Sequence, residues 1–178
     1  MDNFGFIHEK LDIKILILYI LEKLPAPVTG LQLSDLALFD GGISDDGFRW
    51  LDYTDCLAEL EETGHITNDD GRYAITEAGR RDLSYIQSRL PYTVRVKADR
   101  LTAPVAAAMR RSSMIETASE KERRGGYSVS LRLSDGVGEV VSMRLAVPDK
   151  KQAAAIEKRF KDSAEALYNK ILNMLIEE

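Results

Sequence analysis

Positions 10–24 read KLDIKILILYILEKL, apolar almost all round, with Lys14 the sole charge between Asp12 and Glu22 and Pro25 as a stop. A surface helix shows one apolar stripe, so this pattern predicts a first helix buried on more than one side. Thr29 then stands three residues before Gln32, with Val28 and Leu33 able to pack across the start, which predicts a capped second helix from Gly30 to about Leu38. After Asp40-Gly41-Gly42, read as a loop, Ser44 with Asp45 and Asp46 supplies the cap and acidic first turn of a third helix reaching about Thr63. Trp50, Tyr53, Leu57 and Leu60 recur at the spacing of a packed face on it, and Gly64 follows at the position that ends a helix.

The period then changes. Ile66-Thr67-Asn68 and Arg72-Tyr73-Ala74-Ile75 flank Asp69-Asp70-Gly71, and Asp-Gly between short alternating runs predicts a tight hairpin. Thr76 caps a fourth helix running toward Leu90. Residues 92–112 are expected to be helical with a break near Pro104, because proline removes an internal bond and crowds the preceding turn.

From Tyr127 the alternation has period two. Tyr127, Val129, Leu131 and Leu133 share one face, and Ser128, Ser130, Arg132 and Ser134 share the other. Asp135-Gly136-Val137-Gly138 turns the chain back, and Val141, Met143, Leu145 and Val147 form the inner face of the return strand, with residues 113–122 as a candidate third strand. Asp149 and Gln152 open a last helix whose Ile156, Phe160, Ala164, Leu167, Ile171 and Leu175 make one continuous stripe over the sheet. A second row, Tyr168, Leu172 and Ile176, lies off the first and, with the first helix, suggests a two-fold homodimer.

The fold class is therefore α+β. Residues 1–90 form an N-terminal helix-helix-helix-hairpin-helix domain, residues 91–112 a helical connector, and residues 113–178 a small antiparallel sheet with a long C-terminal helix.

Residues 57–83 (LAELEETGHITNDDGRYAITEAGRRDL) resemble the winged helix-turn-helix transcriptional regulators of the MarR and PadR type. Leu57, Leu60, Gly64, Ile66, Thr76 and Gly79 carry the likeness. The whole chain is also similar to a family of small winged-helix proteins of unassigned function from Gram-positive anaerobes. The resemblance implies a DNA-binding transcription regulator whose third helix enters the major groove. Its candidate contacts on that reading are Arg49, Asp52, Tyr53 and Thr54 on the helix, Asn68 and Arg72 on the wing, and Arg80 and Arg81 beyond it.

Charge pulls the other way. Residues 1–90 hold 8 Lys/Arg against 17 Asp/Glu, whereas 91–178 hold 16 against 12. Between residues 45 and 62 seven acids face one base, Arg49, although DNA affinity rests on Lys and Arg neutralising phosphates. Basic residues gather later, with eleven Lys/Arg against five acids over residues 80–124, enough for a phosphate-contacting shoulder or for ordinary solvated faces. The alternative is a winged-helix interaction module whose acidic third helix docks a basic protein partner and never binds DNA.

Other chemistry is poorly supplied. His8, His65 and Cys56 lie far apart, so no metal site is expected. Gly41-Gly42 and Gly125-Gly126 lack the lysine and the strand-to-helix setting of a phosphate loop, so no cofactor is expected. Glu61-Glu62 and Asp69-Asp70 diverge or are solvated, and nothing marks a general acid and base, so the reading is not an enzyme. The longest apolar run, residues 15–21, is short of the roughly 20 residues a bilayer needs. No basic-then-apolar leader is visible and one cysteine cannot close an internal disulfide, so the expected location is the cytoplasm.

Overall fold

The computed structural model describes residues 9–39 and 47–176, with the side chains of 47–49 left out. The expected loop at Asp40-Gly41-Gly42 and the cap at Ser44, Asp45 and Asp46 lie outside the described residues. The chain divides into two compact units, Met1–Met109 and Arg110–Glu178.

In the first unit, α1 (Lys10–Lys23), β1 (Val28–Thr29), α2 (Gly30–Ala37) and α3 (Gly47–Glu62) precede the hairpin β2 (Ile66–Asp69) and β3 (Arg72–Ile75). Helix α4 (Glu77–Ile86) follows, then one 3-10 turn (Gln87–Arg89) and α5 (Tyr92–Ser113), whose last four residues already belong to the second unit. This order is compatible with a winged helix. Helix α1 is the centre of the core, with Ile13 and all of residues 15–21 buried. Each such aliphatic side chain contributes roughly 1.5–3 kcal/mol of burial. The expectation that α1 helps form a dimer meets this fact: its apolar residues are used inside their own unit, and Leu11 alone among them stands well exposed.

The local signals act as read. The Gln32 amide donates to Thr29 Oγ1 and the Thr29 amide to Gln32 Oε1, at 3.2 and 3.0 Å, which closes a capping box. Asp70 and Gly71 both take positive φ, 49° and 75°, as a two-residue hairpin turn requires. One strand was not expected: β1 pairs antiparallel with β3, so the sheet has the order β1-β3-β2 and the hairpin is anchored beside the start of α2. The expected break at Pro104 is absent, and α5 is one helix through it. Pro104 and Arg100 are both exposed, so the Arg100 carbonyl that the proline leaves without its amide can be hydrated.

In the second unit β4 (Ile115–Lys121), β5 (Tyr127–Ser134) and β6 (Glu139–Val147) form an antiparallel sheet of order β4-β5-β6. Helix α6 (Lys150–Ile176) packs on it, its start capped by Asp149 Oδ1 accepting the Gln152 amide at 2.8 Å. Val129, Leu131 and Leu133 of β5 meet Ala153, Phe160 and Ala164 of α6 in a separate small core. The continuous stripe expected on α6 is interrupted. Ser163 leaves helical geometry (φ −145°, ψ 31°), its hydroxyl donating to the Arg159 carbonyl, and Leu175 is exposed. Leu145, expected inward on β6, is also largely exposed.

Candidate functional site

Helix α3 has three kinds of side. Tyr53, Cys56 and Leu60 point into the core. Beside them Asp52 and Asp55 face Lys10 of α1, at 3.7 and 3.0 Å, and Glu59 pairs with Lys14 at 2.5 Å. The Lys14 hydrogen bond holds the Glu59 carboxyl below its ordinary range. Exposed pairs of this kind add little stability. Their consequence is electrostatic, because they occupy Lys10 and Lys14 and leave the outer side of α3 without an unpaired cation among the described side chains.

That outer side follows from helical spacing. With Tyr53, Cys56 and Leu60 inward, a period of 3.6 residues sets Leu51, Ala58 and Glu62 outward, with Asp55 at the edge where Lys10 holds it, and all four are exposed. Leu51 is 61% exposed, and Trp50 beside it is 45% exposed with its ring centroid 5.6 Å from that of Tyr53. An exposed leucine and a half-exposed tryptophan among carboxylates make an apolar patch with an acidic rim.

The sequence candidates fare unequally. Arg49 belongs to α3, but its side chain is outside the described set. Asp52 faces Lys10, away from the outer side. Tyr53 is corrected outright: it is 2% exposed and cannot touch a base. The hydroxyl of Thr54 donates to the Leu51 carbonyl at 2.9 Å. Asn68 is tied into the β2-β3 hairpin, its amide donating to Glu61 at 3.2 Å and Tyr73 at 3.4 Å and its Oδ1 accepting from the Gly71 amide. Arg80 donates to Glu22 at 2.8 Å. Arg72 and Arg81 are exposed and have no acidic partner among the described residues.

Tyr53 offers a test of its own. Its buried hydroxyl has no hydrogen-bond partner among the described residues, and burial raises its pKa far above the ordinary phenol value. Tyr53→Phe removes an unsatisfied polar atom and is expected to leave stability unchanged or raise it by about 1 kcal/mol in urea unfolding. A loss of similar size would show that the hydroxyl has a partner.

His65 and Cys56 are two further side chains of a catalytic type on this unit. His65 bridges Thr63 Oγ1 (2.8 Å) and Asp82 Oδ2 (2.9 Å), a threonine-histidine-aspartate chain. The Thr63 hydroxyl already donates to the Glu59 carbonyl at 2.7 Å, so the chain ties the end of α3 to α4 rather than activating a nucleophile. Cys56 is fully buried, and burial pushes its thiol up to about 11, which makes it a poor nucleophile. Among the described residues no group of three or more His, Cys, Asp or Glu could hold a metal, and no helix is long and apolar enough to cross a membrane.

The pattern of α3 could be found in the sequence. The spacing that sets Tyr53 and Leu60 inward also sets Leu51, Ala58 and Glu62 outward. The capture of Lys10 and Lys14 could not, because it depends on how α1 crosses α3.

Residues 13–175 match the family described as "Domain of unknown function (DUF4364)". None of the curated proteins and none of the solved structures matches the chain.

Proposed function

The chain belongs to the DUF4364 family, and from that footing we propose that its N-terminal unit is a winged helix that works as a docking module, with α3 received by a basic, amphipathic protein segment. One observation carries the reading: the described outer side of α3 presents Leu51, Ala58 and Glu62, with Asp55 bound to Lys10 at its edge, and no unpaired cation. A duplex would meet carboxylates where its phosphates need Lys or Arg. A segment with an apolar row flanked by lysines or arginines meets an apolar patch with acids around it, which favours both burial and encounter rate.

Trp50, the one tryptophan in the chain, stands on α3 and reports the interaction directly. Titration with synthetic helical peptides carrying a leucine row between lysines is expected to shift Trp50 emission to the blue. Leu51→Ser should weaken binding roughly tenfold, the cost of leaving one leucine unburied. Glu62→Lys should weaken it too, with a shallower salt dependence. A response unchanged by both substitutions, or none at all, would sink the proposal.

The second reading is a dimeric DNA-binding transcription regulator of the MarR and PadR type. It is favoured by Arg72 on the wing and Arg81 on α4, two exposed cations without an acidic partner among the described residues. They would contact phosphates while α3 entered the major groove.

A further inference from the structure

We propose that the groove between β6 and α6 receives the C-terminal end of α6 from a second copy of this chain. Three observations on the second unit meet there.

The first is the groove. Helix α6 lies mainly over β4 and β5, and its kink at Ser163 falls opposite β6. A cavity of about 310 Å³ opens there, with Met143, Leu145, Phe160 and Leu167 among its apolar walls. Met143 and Leu145 are the inner-face residues of β6 that α6 leaves partly or largely exposed.

The second is the rim. Arg159 and Lys170 line the same cavity, and neither has an acidic partner among the described residues. An apolar slot with unpaired cations selects an occupant that is apolar with negative charge beside it.

The third is such a segment on the chain itself. Met174, Leu175 and Ile176 end α6 at 82%, 78% and 73% exposure, and the sequence continues Glu177-Glu178. Three consecutive apolar residues this exposed are costly unless something covers them. They cannot fold back into their own groove. The helix is regular beyond Ser163, and eight residues of rise from Leu167 to Leu175 carry the tail roughly 12 Å along the axis.

A two-fold axis crossing α6 between groove and tail seats each tail in the other copy's groove. The contact is reciprocal and closes at two copies. Leu175 and Ile176 then lie on Met143, Leu145 and Leu167, and the sequence supplies two acids, Glu177 and Glu178, next to them for the cations on the rim.

Sedimentation equilibrium of the full chain tests this. The wild type is expected to be a dimer. Leu175→Glu with Ile176→Glu is expected to raise the dissociation constant on the order of a hundredfold, the burial of two aliphatic side chains, with the circular dichroism spectrum unchanged. Arg159→Glu with Lys170→Glu should also weaken the dimer, and adding Glu177→Lys with Glu178→Lys to that variant should restore it. Restoration is the outcome that mere damage to the fold would not give. A monomeric wild type, or a dimer indifferent to both the tail and the rim changes, would overturn the proposal. So would native mass spectrometry showing a monomer carrying a small amphipathic molecule, which would make the groove a ligand pocket.

Discussion

Gly79→Ala is expected to destabilise the N-terminal unit by about 3 kcal/mol, at the upper end of what overpacking a tight contact costs. A Cβ at position 79 would stand 2.2 Å from the His65 carbonyl oxygen and 2.9 Å from Ile75 Cγ1. The first neighbour is backbone held in place from several sides. The His65 carbonyl accepts from the Thr76 amide and hydroxyl, both at 3.0 Å, and that hydroxyl also lies 2.7 Å from the Gly64 carbonyl. The Gly79 amide in turn donates to Thr76 Oγ1 at 3.1 Å, capping α4. Relief of the clash must therefore move the end of α3, the start of the hairpin or the first turn of α4. Urea unfolding followed by Trp50 fluorescence measures the cost. A change within about 0.5 kcal/mol, the size of an ordinary surface substitution, would show that α4 does not approach the His65 carbonyl this closely.

In the second unit the largest loss is expected at Phe160, about 4 kcal/mol on truncation to alanine. Phe160 is 3% exposed and belongs to the small core with Val129, Leu131 and Leu133. That core has few large side chains, so neighbouring residues can refill little of the space a ring leaves. Hydrogen exchange resolved by segment is the suitable readout, because it follows β5 and β6 separately from the Trp50 signal. Protection of those strands should fall steeply. A cost under about 1 kcal/mol would mean that α6 does not hold the sheet.

Much of this architecture was legible because its signals are local. The Thr29 and Thr76 caps, the Asp70-Gly71 turn, the end of α3 at Gly64 and the period-two runs of the second unit each depend on a few neighbouring residues. What escaped depends on partners distant in sequence. Strand β1 is two residues long and exists because β3 lies beside it. Pro104 was expected to break α5, but its effect depends on whether water reaches the Arg100 carbonyl. The kink at Ser163 depends on its hydroxyl bonding back to the Arg159 carbonyl, a choice among local partners that the serine in the sequence does not reveal.

The candidate site was legible in outline and wrong in detail. The excess of acids on α3 is in the sequence, but their division between a lysine-paired flank and an outward face is tertiary. Tyr53 was placed both on the packed face and among the candidate DNA contacts, and the packed face prevailed. Arg80 and Asn68 looked available because Glu22 and Glu61, which hold them, are 58 and 7 residues away.

The central claim is that α3 docks on protein and not on DNA. Its most direct test is selection from a pool of genomic fragments, the chain's own upstream region included, at low and physiological salt with excess competitor DNA. The account predicts no discrete fragment enriched at either salt. Recovery of one discrete fragment, with affinity falling steeply as salt rises and lost in Arg72→Ala with Arg81→Ala, would contradict it and establish the DNA-binding reading.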